Sequence, residues 1–202
     1  MNNFLEEIDR QIVTIINSWN TPLLDEIMWI VSAKLTWIPL YVFLLFLAYR
    51  KLDRKTFFLF IGFVCAAVVL ADLVSVHAFK NVFLRFRPSH NLILTNKLHY
   101  YEMEPGEFYK GGKYGFVSSH AANFLAIASS SLLVLNKFYP SLKWLLLLVG
   151  FAICYSRLYL GVHYLSDVLA GGLLGFCISL LLFKLFFQPL AHKKKDPLNA
   201  LY

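Results

Sequence analysis

Five stretches of this 202-residue chain, 27–49, 56–79, 118–135, 142–160 and 168–187, are almost continuously apolar. That pattern constrains the fold more than any other feature of the sequence. An α-helix rises about 1.5 Å per residue, so ~20 residues cross a hydrocarbon core of about 30 Å. The stretches 118–135 and 142–160 only just reach that length. Inside lipid each backbone N–H and C=O must find its partner within the protein, which selects helices for runs of this kind. Composition agrees, with 58% hydrophobic and 15% charged residues, where a soluble domain carries about half and about a quarter. Disorder requires the opposite balance. The expected fold is all-α: a polytopic transmembrane helix bundle of five spans preceded by an amphipathic helix, or of six spans if that helix inserts.

The amphipathic helix is read from Phe4, Leu5, Ile8, Ile12, Ile15, Ile16 and Trp19, which recur at three- and four-residue intervals. Its charged reverse face places it at the membrane interface, and Thr21-Pro22 ends it. The expected organisation is an interfacial helix over 1–20, a transmembrane domain over 21–190 and a basic tail over 191–202. Glu6, Glu7 and Asp9 stand where a cleaved signal peptide carries positive charge, so no such peptide is expected. Trp29 and Trp144 lie near segment ends as interfacial aromatics do, and Trp37, deeper in its segment, reads as a packing residue. Gly171 and Gly175 form a GxxxG pair suited to close helix approach. Cys65, Cys154 and Cys177 lie in apolar runs with no metal or disulfide spacing and read as small core hydrophobes.

The chain carries 19 Lys+Arg against 12 Asp+Glu, a net charge of +7. In a membrane protein this surplus reports topology and an anionic ligand rather than a nucleic acid. Arg50, Lys51, Arg54 and Lys55 follow the first span, Lys137 and Lys143 the third, and Lys193, Lys194 and Lys195 the fifth. The positive-inside rule puts these alternate regions in the cytoplasm. Regions 80–117 and 161–167 then face outward, and they hold nearly all the chemistry.

Three outward segments matter. The first runs from Lys80 to Arg87-Pro88, where the proline stops the helix and Arg87 projects above the bundle. The second is Ser118-Ser119-His120, where a serine caps a helix and first-turn amides form a natural phosphate seat. The third holds Arg157, His163 and Asp167. The last two are four apart on one helix face, so the acid can fix the imidazole tautomer and leave the other nitrogen free. Taken singly, each has a plainer reading: snorkelling cations, ordinary capping, a structural His–Asp pair. Together they bring at least three cations, two histidines and a helix N-terminus to one face. That set can hold a phosphoryl group, attack it and protonate the departing oxygen. No carboxylate cluster suggests magnesium, and no three-histidine or Cys/His set suggests zinc. The expectation is a metal-free phosphatase with no cofactor.

These motifs resemble the tripartite signature of the type 2 phosphatidic acid phosphatase family, KxxxxxxRP, PSGH and SRxxxxxHxxxD. Lys80 to Pro88 matches the first part and Ser156 to Asp167 the third. The middle part reads Val117-Ser118-Ser119-His120, with the family's Pro and Gly replaced. The resemblance implies catalytic roles for His163 as the nucleophile forming a phosphohistidine, Asp167 as its orienting acid and His120 as the acid on the leaving oxygen. It implies a phosphate cradle of Lys80, Arg87, Ser118, the Ser119 amide and Arg157. The activity implied is hydrolysis of a lipid phosphate or pyrophosphate in a bacterial inner membrane, with the active site on the periplasmic or extracellular face. Undecaprenyl diphosphate comes first among substrates, with phosphatidic acid, phosphatidylglycerol phosphate and a lipid A phosphate as alternatives. Expected partners are the lipid phosphate and membrane lipids. Two other classes stay open: a vanadium-haloperoxidase-like enzyme and a non-catalytic lipid-binding protein. Outside the signature, Asp72 reads as an interhelical hydrogen-bonding group and Asn123 as a partner of His120 or a packing residue. The loop 91–113 reads as a lid or a solvated surface.

Overall fold

The computed structural model describes residues 4–192. The lysines at 193–195 and most of the expected basic tail lie outside the described residues. The chain begins with α1 (Phe4–Asn17) and α2 (Pro22–Ser32), continues through a 3-10 turn (Lys34–Trp37) into α3 (Ile38–Lys51), and returns as α4 (Arg54–Val74). A π-helical turn (Ser75–Lys80) carries α4 into the short α5 (Asn81–Phe83). The outer loop folds a small hairpin, β1 (Glu102–Glu104) against β2 (Glu107–Phe108). Then come α6 (Ser119–Leu135), α7 (Leu142–Tyr159), α8 (Leu165–Leu182), a second π-helical turn (Phe183–Phe187) and α9 (Gln188–His192).

Local chemistry sets the helix ends. The Thr21 hydroxyl accepts from Leu24 N, with Pro22 in the first turn, so α2 starts there. Asp53 caps α4 by accepting from the amides of Lys55 and Thr56.

The expected single segment 27–49 is in fact two helices bent by 66°. Pro39 is the physical reason: in a continuous helix its ring would meet the carbonyl of Leu35 and its missing N–H would break the ladder. In the first turn of α3 it is tolerated. Carbonyls at the end of α2 are bonded instead by the Thr36 hydroxyl, 2.6 Å from Ile30 O, and the Trp37 indole, 2.9 Å from Val31 O.

Among the described residues, three continuous helices, Arg54–Phe83, Leu142–Tyr159 and Leu165–Ala191, are long and apolar enough to cross a membrane, and the bent pair, taken as one span, makes a fourth. The expected third span is the 17-residue α6, which at the helical rise is about 25 Å long. It is the most enclosed element, gripped by α4, α7 and α8. A Cβ on Gly171 would overlap Ser118 O, and one on Gly175 would overlap Ala122 O, so α8 lies directly on the backbone of α6. Ala67 and Ala71 of α4 join Ala122 and Ala126 of α6 in one cluster that α8 also covers through Leu174 and Ile178. Ser179 Oγ donates to Ala126 O at 3.0 Å and Ser130 Oγ to Ser179 Oγ at 3.1 Å. Small residues and serine bridges are how helices associate where lipid is as apolar as leucine. Outward faces stay apolar, with Phe46, Leu148, Phe151, Leu169 and Leu173 exposed, and the chain is an integral membrane protein. Cys65 and Cys177 share that outward surface, which corrects their reading as core residues. They are tolerated there because a thiol facing lipid loses no more hydration than a buried one.

The amphipathic helix α1 buries Asp9, Val13 and Asn17. Asn17 Nδ2 donates to His99 O and Tyr159 O, each at 2.8 Å, while its Oδ1 accepts from His99 N at 2.8 Å. One side chain thus ties α1 to the outer loop and to the end of α7.

Candidate active site

The outer ends of α4, α6, α7 and α8 come together at one end of the bundle. Leu84, in the left-handed region at φ 49°, stops α5. The chain then runs extended against 113–115, with Arg87 N donating to Lys113 O and Gly115 N to Arg85 O. This strap aims the guanidinium of Arg87 inward, where its Nε donates to Tyr114 O at 3.1 Å and NH1 to Val162 O at 3.4 Å. Gly111, at φ 64°, lets the opposing loop close down: a Cβ there would lie 2.7 Å from Arg87 NH1.

Lys80, on the last residue of the π-helical turn, crosses to α6 and donates to Ser119 Oγ at 2.5 Å, and Ser75 Oγ lies 2.7 Å from the same oxygen. The serine that replaces the signature glycine therefore fixes the lysine. Ser118 is the N-cap residue of α6 by position, yet its hydroxyl caps nothing. It is fully buried and unpartnered. The amides of the first turn thus carry no side-chain acceptor, while Ser118 N itself donates to Asp167 O. Arg157, at the end of α7, is 1% exposed. Its NH1 donates to Ser32 Oγ and its NH2 to Tyr109 Oη at 3.0 Å, leaving Nε without a partner.

His163 lies in the turn between α7 and α8, 1% exposed, with Nδ1 3.4 Å from Asp167 Oδ2. Asp167 is fully buried and also accepts from Tyr164 N at 3.0 Å. The His163 pKa is lowered well below its ordinary value, first by burial and then by the cations Arg87, Arg157 and Lys80; the Gly115 carbonyl opposes this. The imidazole is therefore neutral at neutral pH. Arg87 is itself lowered to about 10 by burial and by the nearby Arg157, a value at which it remains cationic. His120, in the first turn of α6, lies in the field of Arg157, His163, Lys34 and Arg87. Of the eight residues singled out in the sequence, Lys80 is bonded to Ser119, Ser118 to Asp167 and Asp167 to His163, while Arg87, Arg157 and Lys80 act electrostatically on His163 and only His120 lines an open cavity. Among the described residues, none of Lys80, Arg87 and Arg157 pairs with a carboxylate. Among the same residues no group of three His, Cys, Asp or Glu is placed to hold a metal ion.

Several site residues escaped the sequence reading. Arg85 bonds Asp9 and Asp167, each at 2.8 Å, and so is neutralised rather than part of the cradle. Ser32 and Tyr109 hold Arg157. The loop 91–113 is largely exposed, 102–108 throughout, but it is anchored: Tyr101 stacks on Trp29 at 4.5 Å and Tyr109 meets the same indole edge-on at 4.9 Å. Only the glycines and tyrosines of the loop signalled this in advance. Asp72 accepts from Asn123 Nδ2 at 3.0 Å, the interhelical bond expected of it. Beneath His120, a cavity of about 260 Å³ is lined by Ser32, Lys34, Trp37 and Tyr41. It shares Tyr41, Val68 and Ile127 with an apolar groove of about 340 Å³ between α3 and α4.

Fold and site together define a membrane-integral phosphohydrolase, in which outer helix ends surround a neutral histidine with unpaired cations. The PAP2 superfamily model matches residues 60–190, and the chain belongs to that family; it is a lipid phosphate hydrolase. A lipid A 4'-phosphatase of Porphyromonas gingivalis is 35% identical over 91% of this chain and 75% of its own. An undecaprenyl-diphosphatase of Sulfolobus acidocaldarius is 34% identical over 72% of this chain and 61% of its own. The fold resembles that of a transmembrane PAP2-type phosphatidylglycerolphosphate phosphatase from Bacillus subtilis, with a TM-score of 0.65 and 20% identity over 96% of this chain and 90% of the other. It also resembles Aquifex aeolicus LpxE, with a TM-score of 0.58 and 22% identity over 86% and 93%.

Proposed function

We propose that this protein removes a phosphate from a membrane lipid through a phosphohistidine on His163, without a metal ion. The observation that carries the reading is the trio of Lys80, Arg87 and Arg157, unpaired with carboxylates and set around a neutral imidazole. Arg87 and Arg157 are buried and Lys80 half-buried; such cations without counter-ions are costly, and a phosphate dianion is the ligand that offsets them. Ser118 Oγ and Arg157 Nε–H, buried without partners, are further donors for its oxygens.

In the first step the free nitrogen of His163 attacks phosphorus, with Asp167 holding the Nδ1 side of the ring. The bond from phosphorus to the lipid oxygen breaks, and His120 gives that oxygen its proton. In the second step water attacks the phosphohistidine, His120 takes the water proton, and inorganic phosphate leaves. The cradle supplies the electrostatic stabilisation that a metal supplies elsewhere. A lipid suits this arrangement because the cavity at His120 shares Tyr41, Val68 and Ile127 with the apolar groove between α3 and α4, where a leaving lipid's tail has a place to lie.

Among substrates we favour a phosphorylated glycolipid of the lipid A type over the undecaprenyl diphosphate that stood first from sequence. Relatives named lipid A 4'-phosphatase match 91% and 87% of the chain, against 72% for the undecaprenyl-diphosphatase. The latter keeps the diphosphate as the second reading. The site faces outward from a bacterial inner membrane, since Arg50, Lys51, Arg54, Lys55, Lys137 and Lys143 lie at the opposite helix ends from it.

The test is phosphate release by purified protein from lipid A, undecaprenyl diphosphate, phosphatidic acid and phosphatidylglycerol phosphate, assayed side by side with excess EDTA. We expect the highest turnover on lipid A, activity that survives EDTA, and complete loss in His163→Ala. Unchanged release in that variant would end the phosphohistidine reading, and loss that magnesium restores would end the metal-free one.

A further inference from the structure

Asp9 is a buried acid on a helix whose other acids, Glu6 and Glu7, face Arg10 at the surface. Its Oδ2 accepts from Arg85 NH2 at 2.8 Å and from the Ser166 hydroxyl, and its Oδ1 accepts from Ser166 N at 3.0 Å. The same guanidinium donates through NH1 to Asp167 Oδ1 at 2.8 Å and to Ser166 Oγ at 2.7 Å, and lies over the Tyr164 ring at 4.3 Å. One arginine thus bridges the acid of α1 and the acid that faces His163. Asp9 lies outside the matched span 60–190, so the family signature does not contain it.

The charges decide what this bridge does. Asp9 and Asp167 carry one negative charge each and Arg85 one positive charge, leaving a net −1 behind His163. Without Asp9, Arg85 would neutralise Asp167 and leave zero. The ring of His163 becomes cationic as its nitrogen takes phosphorus, while Arg87, Arg157 and Lys80 already oppose positive charge there. In a site of low dielectric the residual negative charge behind the ring is what offsets them.

We propose that Asp9 is a positioning residue for phosphoryl transfer: through Arg85 it preserves the negative charge that Asp167 presents to His163. The N-terminal helix is therefore a working part of the active site. This inference rests on His163 being the nucleophile.

The test uses the full chain in detergent and 32P-labelled dioleoylphosphatidic acid in mixed micelles, with rapid-quench measurement of phosphoenzyme formation. Asp9→Asn keeps the shape and removes the charge. It should slow phosphoenzyme formation roughly 10- to 100-fold, the range for groups that orient a reacting residue from behind, with KM unchanged because the cradle is intact. Asp9→Asn/Arg85→Gln returns the cluster to −1 and should recover most of that rate. A double variant as slow as Asp9→Asn would overturn the proposal, because mere anchoring of α1 predicts no compensation. So would wild-type rates in Asp9→Asn. Where Asp9→Asn does not purify as a folded protein, Asp9→Glu takes its place. Its retained charge should keep the rate within a few-fold of wild type, and a tenfold loss would overturn the charge argument. His163→Ala runs alongside: phosphoenzyme in that variant would sink the nucleophile assignment itself, a result distinct from any outcome at Asp9.

Discussion

Replacing Arg157 by lysine keeps the positive charge at the centre of the cradle and removes the planar fork. A guanidinium has five N–H donors. Two are used within the protein, one on Ser32 and one on Tyr109, so three are left, including the Nε–H that has no partner. Arg157 is 1% exposed, which leaves water little part in satisfying them. A bound phosphate is their partner in the proposed mechanism. Lysine offers a point charge on a flexible stem and cannot reach Ser32, Tyr109 and two phosphate oxygens in one plane. Loss of one charge-assisted hydrogen bond costs about 1.5–3 kcal/mol, which is roughly 10- to 150-fold in rate. The assay is steady-state phosphate release from a lipid phosphate in mixed micelles, with inhibition by inorganic phosphate measured in parallel. Both kcat/KM and phosphate affinity should fall in Arg157→Lys, while circular dichroism and elution volume stay those of the wild type. A folded Arg157→Lys protein with wild-type kcat/KM and wild-type phosphate inhibition would refute the cradle.

Three further outcomes are expected. Because the folded protein holds the His163 pKa below its ordinary value of 6.5, the nucleophile stays neutral as pH falls through 6.5. The acid limb of kcat/KM should therefore lie below pH 6.5, and a limb at or above it would contradict the assignment. In Gly175→Ala the new methyl overlaps Ala122 O across the α6–α8 contact. Overpacking of this kind costs about 1–3 kcal/mol, to be read as a lowered thermal midpoint in detergent, and an unchanged midpoint would show that the helices can separate freely. A cysteine placed at the exposed Gly112, beside Arg87, should react with an impermeant thiol reagent on intact cells, whereas labelling only after lysis would reverse the proposed sidedness.

Much of the site was legible in the sequence because its groups sit at fixed intervals along helices and turns. Lys80 and Arg87 bracket the end of one helix; His163 and Asp167 meet as their four-residue interval suggested, but across the turn that precedes α8 and not on one helix face, because α8 starts only at Leu165. The GxxxG of α8 likewise announced a close contact, and the backbone of α6 fills it. The break at Ala33–Lys34 was also there to be read, in Pro39, but hydropathy alone averages across a proline. What no spacing revealed were partners distant in the chain. Asp9 meets Arg85 and Ser166, Arg157 meets Ser32 and Tyr109, and Asn17 meets His99 and Tyr159.

The local pattern, then, determined that this chain is a helical membrane protein with a phosphate-handling face, because apolar run length and motif interval act within one or two turns. Tertiary structure decided which cations stay free. Among the described residues Lys80, Arg87 and Arg157 are left without carboxylates while Arg85 is claimed by two, and that division depends on α1 and the outer loop folding back over the bundle. In a site of low dielectric, the charge left unpaired after packing determines what the pocket can bind. No residue carries that balance by itself.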